Sequence, residues 1–425
     1  GSCANICPAK DSALTMEPFA SQADEGDNWI FGVEQIPVKK DAFSAKNVKA
    51  SQFSKPYFEF SAACAGCAET PYIKLVTQLF GDRMYIANAS GCSSAYGGPL
   101  PATPYCKDER GFGPSWEQSL FEDNAEFGFG FLNAHEVINK ELLLRVRALL
   151  DAGVAGEACE GYLKDKDASE KTRVVSDDLI SALERVSAPD RETAAAVKFI
   201  LDNREYLTKK SVWCFGGDGW AYDIGFGGVD HVLAQNRDIN ILVMDTEVYS
   251  NTGGQSSKAT PAAAIAKFAA GGKEARKKDL GSMLMSYGYI YVAQVSMGAD
   301  PAQTLRAIRE AEAYPGPSIV IAYCPCLEHG IKGGLGNSQL EQKRAVECGY
   351  WHLYRFDPRL KAEGKNPFML EFADPTGDLA AYLKSERRYA ALEDFFPDRA
   401  ERLYEKTIRD AADRLEGYKR RAEND

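Results

Sequence analysis

Residues 216–255, GGDGWAYDIGFGGVDHVLAQNRDINILVMDTEVYSNTGGQ, constrain the fold of this chain more than any other stretch. Ahead of them, Ser211 to Phe215 is an apolar run that reads as a strand. A glycine turn with a single carboxylate, Asp218, follows; then come a helix of small residues, a second apolar strand from Ile239 to Met244, and a polar loop. In a parallel α/β sheet Asp218 would stand at the carboxyl end of the first strand, with Thr246 to Asn251 just past the end of the second. Those two ends lie side by side, where open sheets of this kind bind ligands. One carboxylate with hydroxyl, amide and carbonyl oxygens is a set of hard ligands suited to Mg²⁺. Backbone N–H groups of the glycine turn and of the helix after it favour an anion. A magnesium-bridged diphosphate suits both halves. The alternative is a plain doubly wound domain whose glycines only make turns, and it weakens as turn, spacing and following loop coincide.

At 425 residues the chain has room for one large domain or two to three ordinary ones. Hydrophobic content of 45% and charged content of 26% describe a soluble globular protein with a sizeable core. A net charge of −11 argues against nucleic acid as the main partner, which would need a basic face. No apolar stretch approaches the ~20 residues that span a bilayer, and the first residues lack the apolar centre of a signal peptide. A cytoplasmic enzyme is expected. Eleven cysteines without a secretory signal suggest metal or redox use more than disulfides.

The cysteines are unevenly placed. Cys64-Ala65-Gly66-Cys67 is a CxxC, Cys92 follows it, and Cys324 and Cys326 lie far down the chain. Met84 to Asn88 reads as a short strand with Cys92 in the turn off its end. Ser318 to Tyr323 reads as a strand with Cys324-Pro325-Cys326 at its carboxyl end. If these strands and Ser211 to Phe215 are parallel in one sheet, the cysteines and the diphosphate site share an edge. Four thiolates, three close in sequence and one remote, are what a [4Fe–4S] cluster requires. A Cys₄ zinc site is the alternative, although zinc usually takes two knuckles of matched spacing. Cys106, Cys159, Cys214 and Cys348 stand alone and read as buried or inert thiols. His135, His231, His329 and His352 form no metal spacing, and none is expected in catalysis.

Elsewhere, Tyr72 to Phe80 reads as helix and Tyr96 to Pro114 as irregular. From about 116 to 207 the pattern is helical, with Leu142, Leu143, Val146, Leu149 and Leu150 on one face. Its charged middle, Lys164 to Lys171, is expected to be solvated. Asp300-Pro301 has the capping chemistry of a helix start. Lys384 to Asp425 reads as charge-laced helices for packing or assembly, and Asp11 to Lys49 as linker. At the beginning, Cys3-x3-Cys7-Pro8 matches the second half of the run C-x2-C-x2-C-x3-C-P. Either it ends a two-cluster ferredoxin-like domain, which makes the chain a C-terminal segment, or Gly1-Ser2 is a cloning scar and the cysteines are incidental.

Gly217-Asp218-Gly219, with an Asn-containing loop one βαβ unit later, resembles the diphosphate motif of thiamine-diphosphate enzymes. FGGDGWA at Phe215–Ala221 and YSNTGGQS at Tyr249–Ser256 are similar, more narrowly, to pyruvate:ferredoxin (flavodoxin) oxidoreductases. The common motif has Asn at the second metal position; Thr246 stands here, a departure usual in the oxidoreductases. CAGCAETPY from Cys64, GCS around Cys92 and AYCPC ending at Cys326 resemble that family's proximal-cluster segments.

The resemblance implies an α/β fold: a doubly wound, mostly parallel sheet of the thiamine-diphosphate-binding type, with a helical insertion and a helical C-terminal tail. Residues 1–30 would be the remnant of a ferredoxin-like two-[4Fe–4S] domain plus linker, and 31–425 the thiamine-diphosphate domain with the proximal cluster. The implied function is oxidative decarboxylation of pyruvate to acetyl-CoA and CO₂, with one-electron transfer through [4Fe–4S] clusters to ferredoxin or flavodoxin. Coenzyme A, the upstream domains of the same polypeptide and a second copy in a homodimer would be partners. Asp218, Thr246 and the Val248 carbonyl would hold Mg²⁺, and Cys64, Cys67, Cys92 and Cys326 the iron, with Cys324 as the competing fourth ligand. Glu69, Cys92, Gly217, Asp218, Gly219, Trp220, Thr246, Glu247, Val248, Tyr249, Ser250 and Asn251 would bind the cofactor, with Asn251 at the reacting centre. An oxidoreductase for another 2-oxoacid, or a non-catalytic iron–sulfur electron-transfer module on a thiamine-type fold, are the alternatives.

Overall fold

Three nearly unbroken apolar runs become the centre of one eight-stranded sheet, and almost every residue in them is buried. A strand covered on both faces has no solvent side, which is why these runs lack polar alternation. The computed structural model describes every residue except 1, 6, 38–46, 188, 373, 424 and 425. Its strands are β1 (Met84–Asn88), β2 (Ser115–Gln118), β3 (Ser211–Gly217), β4 (Asn240–Asp245), β5 (Val248–Tyr249), β6 (Gln255–Ser256), β7 (Tyr291–Val295), β8 (Ser318–Tyr323), β9 (Tyr354–Phe356) and β10 (Phe368–Leu370). The sheet runs β10-β9-β7-β8-β4-β3-β1-β2, and β5 pairs with β6 as a separate ribbon. From β2 to β7 every pairing is parallel; β9 and β10 add an antiparallel edge.

Register places the strand ends that matter together. Asn88 pairs with Phe215, Gly217 with Met244 and Asp245 with Tyr323, so β1, β3, β4 and β8 release their loops along one edge. The doubly wound, mostly parallel α/β architecture is therefore as expected. Apolar clusters cover both faces of the sheet: Val212, Ile241, Val243 and Ile321 on one, Trp213, Phe215, Leu242 and Val320 on the other.

The insertion is helical but begins later than its sequence suggests. Trp116 lies in the edge strand β2, paired with Ile86 of β1, and the first helix runs Asn124–Asp151. Four residues on an edge are too few to print a period, which is why the strand merges into the helical signal. Helices Gly156–Asp165, Thr172–Leu183 and Arg191–Asp202 complete it. They close a core of their own around Leu142, Val146, Leu149, Tyr162, Leu179 and Ile200. The long first helix serves both cores, since its Ala125 and Leu132 pack on the sheet. The charged stretch Lys164–Lys171 is only partly solvated: the Ser169 hydroxyl donates to the Glu312 carboxylate of the main domain.

Asp300 caps the helix Pro301–Ala313, accepting from the amides of Ala302 and Gln303. The tail forms helices Arg387–Phe395 and Pro397–Glu423, the second burying Ala400, Leu403, Thr407, Ala411, Leu415 and Tyr418 along one stripe. Where a linker was read, short helical turns cover Phe19–Gln35 without burying a residue; residues 38–46 of that stretch lie outside the described residues. The segment from Tyr96 to Pro114 is irregular after the short helix Cys92–Gly97.

Because the insertion has its own core, Leu179→Ala should destabilise it by about 2–5 kcal/mol. Amide hydrogen exchange over 124–207 should rise, while exchange in β3 and β4 stays at the wild-type rate. Equal loss of protection in both regions would mean that the two cores unfold as one.

Candidate functional site

β3 ends at Gly217, and the chain turns at Asp218 into a wide helical turn, Gly219–Ile224, before the helix Phe226–Ala234. Asp218 is wholly buried. Its Oδ2 accepts from the Ser257 hydroxyl at 2.5 Å and its Oδ1 from the Thr246 amide at 3.1 Å. The Thr246 hydroxyl lies 2.9 Å from Asp218 Oδ1 and 3.0 Å from the Val248 carbonyl oxygen, with the Ser250 hydroxyl 2.6 Å away. Carboxylate, hydroxyl and carbonyl oxygens thus close on one small volume where β3 and β4 end.

Burial raises the Asp218 carboxyl well above the usual carboxylate range, and the neighbouring Asp245 carboxylate adds to the effect. A carboxylate removed from water in this way is stabilised by a cation at the same point. The oxygen set fits Mg²⁺, a hard ion. The fit of the two loops depends on a missing side chain: a Cβ on Gly219 would stand 2.4 Å from the Tyr249 ring. Trp220 is buried beside the turn, with no hydrogen-bond partner on its indole nitrogen.

Beyond the metal loop, one cavity of about 220 Å³ is lined by Cys64, Cys67, Cys92 and Cys326, together with Glu69, Thr246 and Asn251. The CxxC reaches it through Gly66, which has φ +84° and lies so close to the Leu335 carbonyl that a Cβ would stand 2.4 Å from it. Cys92 opens the short helix off β1, and Cys326 follows β8. Cys324 differs: it is wholly buried in an apolar cluster, with its amide bonded to the Asp245 carbonyl. Of the two, only Cys326 lines the cavity.

Burial pushes the Cys67 thiol up to about 12, with the Glu69 carboxylate adding to it. Burial likewise raises Cys92 and Cys326, and the other cysteines of the cavity contribute to Cys92. Thiols that resist ionisation together are held as thiolates by a metal. Among the described residues no three Cys, His, Asp or Glu side chains close on one point as the ligands of a single ion would. The four thiols line one cavity, a soft donor set that fits an iron–sulfur cluster. Glu69 accepts from the Tyr96 hydroxyl at 2.9 Å, and burial raises its carboxyl to about 7.

Glu247 does not line this cavity. Its carboxylate is buried between Lys277 Nζ (2.9 Å), Arg388 Nη2 (2.8 Å) and the Tyr350 hydroxyl (2.5 Å). His329, for which no role was expected, is wholly buried and places Nε2 2.7 Å from the Thr246 carbonyl oxygen. His231 is exposed, and Cys159, Cys214 and Cys348 are buried, as their isolation suggests. Ser257, Lys277, His329 and Arg388 escape sequence reasoning because their partners at the site, Asp218, Thr246 and Glu247, lie 30 to more than 100 residues away and share no local spacing with them.

Residues 192–322 match the family described as thiamine pyrophosphate enzyme, C-terminal TPP binding domain, a stretch that contains β3, β4 and both loops of the oxygen cluster. The chain is 53% identical over 428 residues to the pyruvate:ferredoxin oxidoreductase of Moorella thermoacetica, covering 100% of this chain and 36% of that one. It is 53% identical over 429 residues to the pyruvate-flavodoxin oxidoreductase of Enterobacter agglomerans, covering 99% of this chain and 36% of that one. The chain therefore spans about a third of the length of these curated relatives. A solved 2-oxoglutarate:ferredoxin oxidoreductase from Magnetococcus marinus aligns at 16% identity with a TM-score of 0.36, over 63% of this chain and 65% of that one, too distant to inform the fold.

The exposures predict an order of reactivity toward a thiol alkylating reagent in metal-free protein. Cys3 and Cys64, which are exposed, should label first; Cys67, Cys92 and Cys326 more slowly; and Cys214 and Cys324 only on unfolding. Peptide mass spectrometry reads the order, and early labelling of Cys324 would contradict the assignment of Cys326 to the cavity.

Proposed function

We propose, for a chain related along its whole length to one segment of the pyruvate:ferredoxin and pyruvate-flavodoxin oxidoreductases, that it grips the diphosphate of thiamine diphosphate through Mg²⁺ and carries a [4Fe–4S] cluster beside it. The whole enzyme would oxidise pyruvate to acetyl-CoA and CO₂ and pass electrons singly to ferredoxin or flavodoxin. One observation carries this reading: the Thr246 hydroxyl lies 2.9 Å from Asp218 Oδ1 and 3.0 Å from the Val248 carbonyl oxygen, beside a cavity lined by four thiols. A hard-ion site and a soft-ligand site sharing one wall is what a cofactor giving electrons to a cluster would need.

Asp218, the Thr246 hydroxyl and the Val248 carbonyl would hold the metal. Backbone N–H groups of Gly217, Gly219 and Trp220, at the start of the helical turn, would receive the diphosphate. Glu247, through its backbone, and Tyr249 and Ser250 would shape the opposite side. Asn251, exposed and on the cavity wall, would face the reacting centre, with Glu69 and Cys92 on the cofactor's other flank. Cys64, Cys67, Cys92 and Cys326 would hold iron. When bound, thiamine diphosphate supplies a carbanion nucleophile and an electron sink, and the cluster a one-electron acceptor. The chain's residues bind, orient and shield: the wholly buried Asp218 keeps water from the metal side, and the Tyr96 hydroxyl fixes Glu69 at the cavity.

Residues 1–30 would end a ferredoxin-like domain. In support, the short helix Ser2–Asn5, which contains Cys3, packs against Leu335–Asn337, and Leu335 lines the thiol cavity. Pyruvate and coenzyme A as substrates, upstream domains of the same polypeptide, a homodimer and a cytoplasmic setting complete the proposal. Among the described residues no helix is long and apolar enough to cross a membrane.

In the full-length enzyme, Asp218→Asn should weaken Mg²⁺-dependent binding of thiamine diphosphate by about 100-fold, about 2.8 kcal/mol, with iron content unchanged. Cys326→Ser should lose about four iron per chain, and Cys324→Ser should not. Cofactor titration and metal analysis read both. Wild-type affinity in the aspartate variant, or one zinc and no iron in the wild type, would contradict the proposal.

A further inference from the structure

Beneath the metal loop lies a buried ionic bridge whose members come from three other segments of the chain. Glu247 stands between Thr246 and Val248, and its backbone is left-handed, φ +61°. A residue with a side chain keeps that conformation only where its surroundings hold it. The carboxylate of Glu247 is what is held: Lys277 Nζ lies at 2.9 Å, Arg388 Nη2 at 2.8 Å, and the Tyr350 hydroxyl donates at 2.5 Å. A second anchor acts on Thr246, whose carbonyl accepts from His329 Nε2 at 2.7 Å. A carbonyl only accepts, so that nitrogen carries the proton.

Arg388 joins the two anchors. His329 Nδ1 faces Glu386 Oε1 at 3.4 Å, and Glu386 Oε2 accepts from Arg388 Nε at 2.6 Å. The guanidinium thus donates to Glu386 through Nε, while its Nη2 pairs with Glu247 and donates to the Tyr350 hydroxyl at 3.1 Å. The Arg388 side chain is 1% exposed and comes from the tail helix Arg387–Phe395, far in sequence from the loop. The planar fork of arginine holds its partners at a fixed spacing, which the flexible point charge of a lysine at this position would not reproduce.

Resting on the reading of 246–248 as the Mg²⁺ loop, we propose that Arg388 is a positioning residue for the metal site. By bridging Glu247 and Glu386 it fixes this loop so that the Thr246 hydroxyl and Val248 carbonyl face Asp218 before a metal arrives. The tail helix is then part of the cofactor site and not packing alone. Lys277 has a parallel role from the other side, since the same ammonium also pairs with Asp245 at the end of β4.

The test uses the full-length enzyme with Arg388→Met, Arg388→Lys and the milder Tyr350→Phe. Outer partners of metal ligands typically change metal affinity by about 10–100-fold. The Mg²⁺ concentration that half-saturates thiamine-diphosphate binding should rise by that factor in Arg388→Met, and by less in the other two. In cofactor-free enzyme, amide exchange at Thr246–Val248 should accelerate by about tenfold or more, with iron content and the visible spectrum unchanged. A wild-type Mg²⁺ curve together with wild-type exchange at these amides would overturn the proposal. If Arg388→Met fails to fold, the other two variants decide on the same readouts. Failure of the underlying reading looks different: the wild-type enzyme would then show no Mg²⁺ dependence of cofactor binding, while the exchange comparison would still report on the bridge.

Discussion

The parallel pairing of β3 with β4 governs everything the candidate site can do. With Gly217 opposite Met244, the turn at Asp218 and the loop from Thr246 leave the sheet at the same height and in the same direction. Only then can one aspartate oxygen accept from the Thr246 amide while the other accepts from Ser257. The neighbouring parallel pairings extend the principle, bringing Cys92 off β1 and Cys326 off β8 to the same edge. A slip of one residue in β4 would turn its side chains to the opposite face and separate the oxygens.

That edge also gathers charge that an interior normally rejects. Asp218, Asp245, Glu247 and Glu386 are all within 1% of complete burial. Taking a carboxylate out of water costs several kcal/mol, and ion pairs offset this only with good geometry. Burial by itself would raise the Glu247 carboxyl, yet Lys277 and Arg388 outweigh it and hold the group well below the usual carboxylate range. Among the described residues no cation pairs with Asp218 in this way, and burial raises its carboxyl. The difference between these two acids, Asp218 on the turn after β3 and Glu247 in the loop after β4, separates a structural ion pair from a site suited to a metal.

Much of this was legible in the sequence, because metal and phosphate ligands sit in short local motifs. Met84–Asn88 and Ser318–Tyr323 form strands over the limits that their apolar runs suggest, and the strand before Asp218 begins at Ser211 as read. Cys92 and Cys326 line one cavity with Cys64 and Cys67 because β1 and β8, which release them, run parallel in one sheet, while the CxxC lies in the loop before the helix Thr70–Phe80. What stayed hidden has a physical reason in each case. β2, β9 and β10 have three or four residues, fewer than a period can reveal. Lys277, His329 and Arg388 sit in charged or polar contexts that look like solvated surface, and only the fold turns them inward. The tail Pro397–Glu423 reads correctly as amphipathic, yet nothing in its heptads announces that the helix before it carries the arginine under Glu247.

The central claim is that the oxygen cluster and the thiol ring serve one cofactor pair in contact range. Electron–nuclear double resonance on the reduced full-length enzyme tests it directly, by asking whether the unpaired spin of the iron–sulfur cluster couples to the phosphorus nuclei of thiamine diphosphate. The account predicts a resolved phosphorus coupling from the cluster held by Cys64, Cys67, Cys92 and Cys326, lost when Cys326 is replaced. An intact cluster on these cysteines with no phosphorus coupling, in enzyme saturated with thiamine diphosphate and Mg²⁺, would contradict it.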